Sequence, residues 1–214
     1  MTEPAYIEAT RDSYDTVAAD YARLLEGELA ANPFDRAMLG TFAELVNGPV
    51  ADLGCGPGRI TGHLRSLGLD VFGVDLSPGM IEVARRCHPD LRFEVGSILA
   101  LDLPDGGLAG VVAWYSIIHT PPALLPRVLG EFRRVLAPGG HLLLAFQAGD
   151  EVVHLREGYG HAVSLDAYRL APSRIEDQLG EAGFAMTARL LREPERWEKT
   201  PQAYMLARRS GSDH

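Results

Sequence analysis

The stretch Val50–Leu64, VADLGCGPGRITGHL, decides the fold of this chain. It starts as a short apolar strand and ends as a helix, and between them glycine occupies alternate positions, at Gly54, Gly56 and Gly58. Glycine lets a backbone turn sharply and approach a bound group, and the first turn of the following helix leaves unpaired N–H groups there. The stretch therefore predicts a strand, a glycine-rich loop and a helix within an α/β sheet.

An acidic residue ends the next strand-like run. Asp75 closes the run VFGVD, and Ser77 and Pro78 after it are typical of the start of a helix. In a parallel sheet the carboxyl ends of neighbouring strands lie together, and a carboxylate at the second of them suits the diol of a ribose. The glycine loop and Asp75 therefore predict a nucleoside-cofactor site at this edge of the sheet.

Apolar strand-like runs alternate with helix-like segments along the rest of the chain. In chain order the strand-like runs are PVADL, DVFGVD, LRFEV, LAGVVAWYS, HLLLAFQ, FAMTARLLRE and QAYMLARR. Alternation of this kind predicts an α/β protein with a doubly wound, mostly parallel seven-stranded sheet and helices on both faces. The last two runs lie close together in sequence, which predicts a hairpin with an antiparallel edge strand. Helical spacing before the first strand predicts a short N-terminal helical cap.

The composition argues against several classes of protein. The chain has 214 residues, a formal net charge of -9 and a pI of about 5.2. An acidic chain without a basic stripe is a poor ligand for nucleic acid or for an anionic membrane. We find no signal peptide and no apolar run near the roughly 20 residues of a membrane span. We therefore expect a cytoplasmic protein, in which Cys55 and Cys87 are free thiols. Lys199 is the only lysine among 20 basic residues, which is typical of a GC-rich bacterial genome.

Two nucleoside cofactors compete for the loop, and Arg59 separates them. A dinucleotide fingerprint has the spacing G-x-G-x-x-G, in which the third glycine allows the helix to pack closely on the strand. This chain has G-x-G-x-G and places Arg59 in that third position. Asp52, just before the loop, would lie unfavourably beside a pyrophosphate and favourably beside a cationic or amine-bearing ligand. A nicotinamide-dependent oxidoreductase is therefore the less favoured alternative.

The same residues resemble the motifs of a known enzyme family. VADLGCGPG followed by GVDLS is similar to the class I, Rossmann-like S-adenosylmethionine (SAM)-dependent methyltransferases of the small bacterial type. The runs LDLPDGGLAGVVAWYSIIHT and VLAPGGHLLLAF follow in that family's usual order, so the resemblance spans about residues 14–208. It implies a single methyltransferase domain at 1–209, with a helical cap or lid at 1–46, an acceptor-side insertion at 148–170, and a tail at 210–214.

The resemblance also implies which residues contact SAM and its product S-adenosylhomocysteine (SAH). Asp52 and the loop glycines would hold the methionine end, Asp75 would accept both ribose hydroxyls, and Leu76 and Met80 would cover the adenine. Ser97 and Ile98 stand where the family often has an acidic residue for the adenine amine. The full set of implied cofactor contacts is Tyr14, Tyr21, Asp52, Gly54, Gly56, Asp75, Leu76, Met80, Ser97, Ile98 and Trp114.

Several of these residues have a structural alternative. Asp75 could cap the next helix beside Ser77, and Asp52 could be a partner for loop amides. Tyr14 and Tyr21 are seven residues apart on one helix face, and aromatic residues at that spacing usually belong to a core.

Methyl transfer to a protonated acceptor calls for a base, and histidine titrates near neutrality. His119 follows the fourth strand, where acceptor-side residues of the family usually lie, close to Tyr115 at the end of that strand. His154 and His161 lie in the insertion. These four residues are the catalytic candidates, although His119 could bind loop carbonyls and the two insertion histidines could be solvated. Further candidates for acceptor contact, Tyr159, Tyr168 and Arg169, also lie there; Arg169 would suit an acidic acceptor or close a surface ion pair.

The sequence has no metal-binding spacing such as H-E-x-x-H or C-x-x-C. The favoured hypothesis is a SAM-dependent methyltransferase that acts on an oxygen or nitrogen atom of a small molecule, a natural product or a metabolite. The compact core leaves little surface for a macromolecule, and the expected assembly is a monomer or a homodimer. A non-catalytic SAM-binding or regulatory protein on the same fold is the main alternative.

Overall fold

The computed structural model describes residues 5–195 and 198–211. Its strands are β1 (Val50–Leu53), β2 (Val71–Asp75), β3 (Phe93–Val95), β4 (Leu108–Trp114), β5 (Leu136–Gln147), β6 (Val152–Gly158), β7 (His161–Tyr168), β8 (Phe184–Arg192) and β9 (Gln202–Arg209). Its helices are α1 (Ala5–Leu24), α2 (Glu28–Ala31), α3 (Pro33–Leu45), α4 (Arg59–Ser66), α5 (Pro78–Cys87), α6 (Leu125–Val135) and α7 (Pro172–Glu181), with single 3₁₀ turns at Ile117–His119 and Pro122–Leu124.

Seven of these strands form one sheet in the order β3-β2-β1-β4-β5-β9-β8. The first five strands are parallel to one another, and β9 is antiparallel to both β5 and β8. The predicted mostly parallel seven-stranded sheet with an antiparallel edge hairpin is confirmed. The strand order reverses between β1 and β4, and ligands of doubly wound sheets bind at the carboxyl ends of the strands at such a point.

The two faces of the sheet carry separate apolar cores. Successive side chains of a strand point to opposite faces. In β4, Val111 and Ala113 belong to the core under α6 and α7, whereas Val112 and Trp114 belong to the core under α3 and α4. Helices therefore cover both faces, as predicted, and the central strands β1, β2 and β4 between them are almost wholly buried.

Local caps fix where the helices begin. The side chain of Asn32 accepts a hydrogen bond from the backbone N–H of Asp35 (3.4 Å) and starts α3. Ser77 accepts one from the backbone N–H of Met80 (3.0 Å) and starts α5. Both caps agree with the sequence pattern. The start of β5 differs from the sequence pattern, in which the strand-like run HLLLAFQ begins at His141. The strand begins at Leu136, which pairs with Leu108, and a shift of register includes the glycine-rich residues before His141 in the strand.

The insertion forms a β-hairpin that the sequence analysis did not assign. Strands β6 and β7 pair as a separate two-stranded sheet, joined by Tyr159 (φ 54°) and Gly160 (φ 83°). Positive φ at both central residues is the geometry of a type I′ hairpin turn. The hairpin contacts α1: Ser13 and Ser164 are within hydrogen-bonding distance, and the ring of Tyr159 lies 4.8 Å from that of Tyr21.

Candidate active site

The glycine loop is locked against the ends of β2 and β4. The backbone N–H groups of Gly54 and Cys55 both donate to the carbonyl of Val74 (2.7 and 3.1 Å). Gly54 has φ 78°, and a Cβ there would lie 2.2 Å from the Cβ of Ser116. No other residue fits this position, because both the conformation and the space require glycine. The loop therefore keeps one shape.

Asp75 joins the loop to the next strand end. One carboxylate oxygen accepts the N–H of Gly56 and the other accepts the N–H of Ser77, both at 2.8 Å. The bond to Ser77 is the helix cap considered above as the structural alternative for Asp75. The Asp75 side chain also lines a cavity. Burial raises the pKa of Asp75 to about 6. Each oxygen keeps a lone pair for a further donor, which is what a pair of ribose hydroxyls supplies.

A first cavity of about 100 Å³ opens beside Asp75. It brings together almost all of the predicted cofactor contacts, from the N-terminal helix, the glycine loop and the ends of β2, β3 and β4. These are Tyr14, Tyr21, Gly54, Gly56, Asp75, Leu76, Met80, Ser97, Ile98 and Trp114.

Asp52 is the exception, because it lines neither this cavity nor the second one described below. It is fully buried, and the hydroxyl of Thr61 on α4 donates to one of its carboxylate oxygens (2.6 Å). The other oxygen is buried without a hydrogen-bond partner. Burial raises the pKa of Asp52 to about 7. Its position, behind the loop and under α4, matches a structural role better than the predicted contact with the methionine end.

A second cavity of about 370 Å³ adjoins the first. Both cavities share one aromatic wall, made of Tyr14, Tyr21, Trp114, Tyr115 and His119. Alternate residues of the hairpin face this second cavity and cover it with apolar side chains, namely Val153, Leu155, Val163, Leu165 and Ala167. The shared wall is therefore the place where a group bound in one cavity meets a group bound in the other.

His119 lies in that wall with both ring nitrogens engaged. Its Nδ1 is 2.8 Å from the backbone carbonyl of Asp166, and its Nε2 is 2.7 Å from the hydroxyl of Tyr14. A carbonyl only accepts, so Nδ1 carries the hydrogen and Nε2 of the neutral ring accepts the Tyr14 O–H. Burial lowers the pKa of His119 and raises that of Tyr14 well above its usual value. The pair therefore stands as a neutral imidazole with a hydrogen-bonded phenol.

The other catalytic candidates are distributed differently. Tyr115 lines both cavities in a positive-φ conformation (55°), a strained backbone of the kind that often occurs at functional sites. His154 and His161 line neither cavity. His154 lies on the outer face of the hairpin and pairs with Asp166 (2.7 Å), while His161 pairs with Asp20 on α1 (2.7 Å). Strand alternation explains the position of His154, because its neighbours Val153 and Leu155 point to the inner face of the hairpin.

Polar and charged residues also line the second cavity, and the sequence predicted only some of them as acceptor contacts. Tyr159 and Arg169, predicted as acceptor contacts, line it, and Tyr168 does not. Arg59 lines it as well, with Nη2 3.3 Å from Glu28 and Nη1 buried without a partner. From the sequence, Arg59 was interpreted only as the residue that replaces the third glycine of a dinucleotide fingerprint. Its place directly after the glycine loop, at the first residue of α4, is the signal that could have identified it.

The described residues, 5–195 and 198–211, contain no helix long and apolar enough to span a membrane. Within the same ranges, no group of three or more His, Cys, Asp or Glu side chains is arranged to hold a metal ion.

Comparison with known proteins finds similarity to methyltransferases. Residues 50–140 match a family model described as a methyltransferase domain. The demethylmenaquinone methyltransferase of Beutenbergia cavernae is 34% identical over 110 residues, 51% of this chain and 45% of that protein. The trans-aconitate 2-methyltransferase of Rhizobium meliloti is 35% identical over 124 residues, 56% of this chain and 47% of that protein. The chain spans about half the length of the curated relatives it matches.

A solved structure extends the likeness of fold over nearly the whole chain. The 1,6-didemethyltoxoflavin-N1-methyltransferase of Burkholderia thailandensis, with bound 1,6-didemethyltoxoflavin and SAH, superimposes with a TM-score of 0.72 at 18% identity. The superposition covers 98% of this chain and 92% of that one. The matched region, 50–140, contains the glycine loop, Asp75 and three residues of the shared aromatic wall, Trp114, Tyr115 and His119. The chain is therefore similar to methyltransferases in sequence over residues 50–140, and similar in fold to an SAH-bound methyltransferase over nearly its whole length.

Proposed function

We propose that this protein is an enzyme that moves the methyl group of SAM to an oxygen or nitrogen atom of a small-molecule acceptor, a natural product or a metabolite. One observation carries the proposal: two cavities meet at one aromatic wall, and His119 in that wall holds a lone pair toward a phenol. A cofactor in the first cavity and an acceptor in the second would meet there.

The residues of the first cavity fit SAM. Asp75 offers its remaining lone pairs to the ribose hydroxyls, while Leu76 and Met80 supply apolar surface for the adenine. The glycine loop allows close approach of the methionine end. Arg59 lines the second cavity rather than the first, but it lies directly after the glycine loop, and we assign the methionine carboxylate to it. Its Nη1 is buried without a partner, and carboxylates pair well with guanidinium groups.

Bound SAM supplies a methyl group that its sulfonium centre already activates, so the protein's task is alignment and exclusion of water. The hairpin and α1 serve the second purpose, through the ring contact of Tyr159 with Tyr21 and the hydrogen bond of His161 with Asp20. Good alignment of reacting groups contributes on the order of 7–11 kcal/mol in favourable systems. His161 thus acts in this proposal by holding the cover in place.

The Tyr14–His119 pair supplies the base. A proton leaving the acceptor passes to the oxygen of Tyr14 as the Tyr14 proton moves to Nε2 of His119. The carbonyl of Asp166 keeps Nδ1 protonated and thereby keeps Nε2 free to accept. Because burial lowers the pKa of His119, the imidazole is neutral and ready at pH 7. Tyr115 completes the wall, and its own pKa, raised by burial, leaves it a neutral hydrogen-bonding group.

The broader setting follows the same line. The similar proteins described above are named for small acceptors, which supports a small-molecule partner rather than a nucleic acid. We propose one methyltransferase domain over residues 1–209, with 1–46 as its cap and 148–170 as its acceptor-side insertion, acting as a monomer or homodimer. The free thiols Cys55 and Cys87 agree with a cytoplasmic location.

The open second cavity favours an enzyme over a non-catalytic SAM-binding protein, which would need no room for an acceptor beside His119. Calorimetry with SAH and with NAD, followed by transfer of a labelled methyl group from SAM into a pooled small-molecule extract, tests the proposal. We expect SAH to bind, NAD not to bind, and label to enter a small product. Binding of NAD in place of SAH would support the oxidoreductase alternative, and SAH binding without transfer into any acceptor would support the binding protein.

A further inference from the structure

The second cavity has ends of different chemistry. Aromatic side chains and His119 form the end next to the first cavity, and the inner face of the hairpin forms an apolar side. Where β5 ends and β9 begins, the wall is polar, with Gln147, Gln202 and Arg169. An acceptor that lies along the hairpin would therefore reach both the Tyr14–His119 pair and this polar end.

Arg169 is held firmly at the polar end. Its backbone N–H donates to the carbonyl of Glu151 (2.9 Å), and its Cβ lies close above Gly149, where a glycine Cβ would come within 2.8 Å of it. Only 14% of the side chain is exposed. Its Nη1 pairs with Glu151, whose side chain is 61% exposed, while its Nε is buried without a partner. A buried guanidinium N–H without an acceptor is unfavourable, and a ligand oxygen would satisfy it.

The acidic side chains on the cavity wall already have partners. Glu28 pairs with Arg59, Glu198 accepts two bonds from Arg192 (2.7 Å each), and Asp35 accepts the hydroxyl of Tyr204 (2.6 Å). Within the part of the chain that the structure describes, the ammonium of Lys199, also on this wall, has no carboxylate partner. Apart from the indole N–H of Trp114 at the aromatic end, the buried donors without a partner on this wall belong to arginines, which suits an anion.

We propose that the acceptor carries a carboxylate, which Arg169 binds through Nε, on an apolar body that lies along the hairpin; Lys199 lines the same cavity. The carboxylate is an anchor, and the atom that receives the methyl group is a separate O–H or N–H at the Tyr14–His119 end. This inference rests on the proposed function, since it assigns the second cavity to the acceptor.

Matched pairs of acids and amides test the proposal. Protein saturated with SAH is titrated calorimetrically with benzoate, phenylacetate, cinnamate and hexanoate, and with the primary amide of each. We expect at least one acid to bind roughly 10- to 100-fold more tightly than its amide, the scale of a hydrogen bond to a charged group. Equal binding of acid and amide in every pair, or binding of neither, overturns the proposal. Failure of SAH itself to bind would instead refute the proposed function.

Variants assign the preference to Arg169. R169M should reduce the acid preference to less than about threefold while SAH affinity and the melting temperature are kept, and R169K should keep part of the preference. R174M removes an exposed arginine that lies 3.9 Å from Asp150, and it should change nothing. E151Q should leave the acid preference intact, because it removes only the outer partner of Arg169. A preference that survives R169M, or that disappears equally in E151Q, contradicts the assignment.

Discussion

Replacing Arg59 by methionine removes one guanidinium and keeps an unbranched apolar side chain in place of its stem. The Nη1 of Arg59 is buried without a partner, and Nη2 is 3.3 Å from Glu28. A carboxylate bound by this group forms a charge-assisted hydrogen bond, which contributes roughly 1.5–3 kcal/mol, or about 10- to 150-fold in affinity. Since Glu28 shares the guanidinium, we expect a loss of about 10- to 50-fold for SAH, in the lower part of that range.

The assay compares two ligands that differ only in the part assigned to Arg59. SAH carries the amino-acid end, and 5′-methylthioadenosine has the same adenosine and thioether without it. Calorimetry on R59M should show the loss for SAH and a change within about twofold for methylthioadenosine, the usual range for groups that do not touch. R86M, which removes an exposed arginine paired with Glu82 on α5, serves as the matched control. Equal losses for both ligands, or none for SAH, would refute the assignment.

Three further substitutions test the rest of the site. D75A should weaken SAH by roughly 1.5–3 kcal/mol in calorimetry, because it removes the proposed ribose acceptor. H119A should lower turnover by about 10²–10⁴-fold with SAH affinity kept, and Y14F should lower turnover as well. In the wild type, the acid limb of the pH profile of kcat should lie below about pH 6.5, since burial lowers the pKa of His119. The pKa of Asp52 rises from 3.8 to about 7 on folding, so the folded state holds the proton longer and stability falls as pH rises from about 4 to 7. D52N should remove up to about 4 kcal/mol of that fall, measured by denaturant unfolding at several pH values.

The sequence predicted most of the residues that line the first cavity, because a glycine loop and a strand-end carboxylate are local features. Gly54 needs its positive φ wherever the rest of the chain lies, and Asp75 follows its strand directly. Asp52 shows the limit of motif reasoning. Alternation along β1 puts it on the same face as Val50, under α4, and the strand period alone could have directed it toward Thr61.

The contacts of the proposed acceptor-side residues could not be predicted from the sequence in the same way. His119 was located by its place after β4, but its partners are Tyr14, 105 residues away, and the carbonyl of Asp166, 47 residues away. Such contacts arise only when helix, strand end and hairpin come together. The sequence contains one indication of the hairpin, the alternation of apolar and polar residues on both sides of Tyr159–Gly160. Tyrosine is unusual at a positive-φ turn position, so the turn is difficult to predict from the sequence.

The measurement that tests the central claim most directly counts both products of the reaction. Wild-type protein is incubated with methyl-labelled SAM and a pooled small-molecule extract, and SAH and labelled product are quantified over time, with D75A as control. The account predicts one labelled small product that forms in step with SAH and is nearly absent for D75A. SAH binding in calorimetry, with no label in any fraction and no SAH formed, would contradict it.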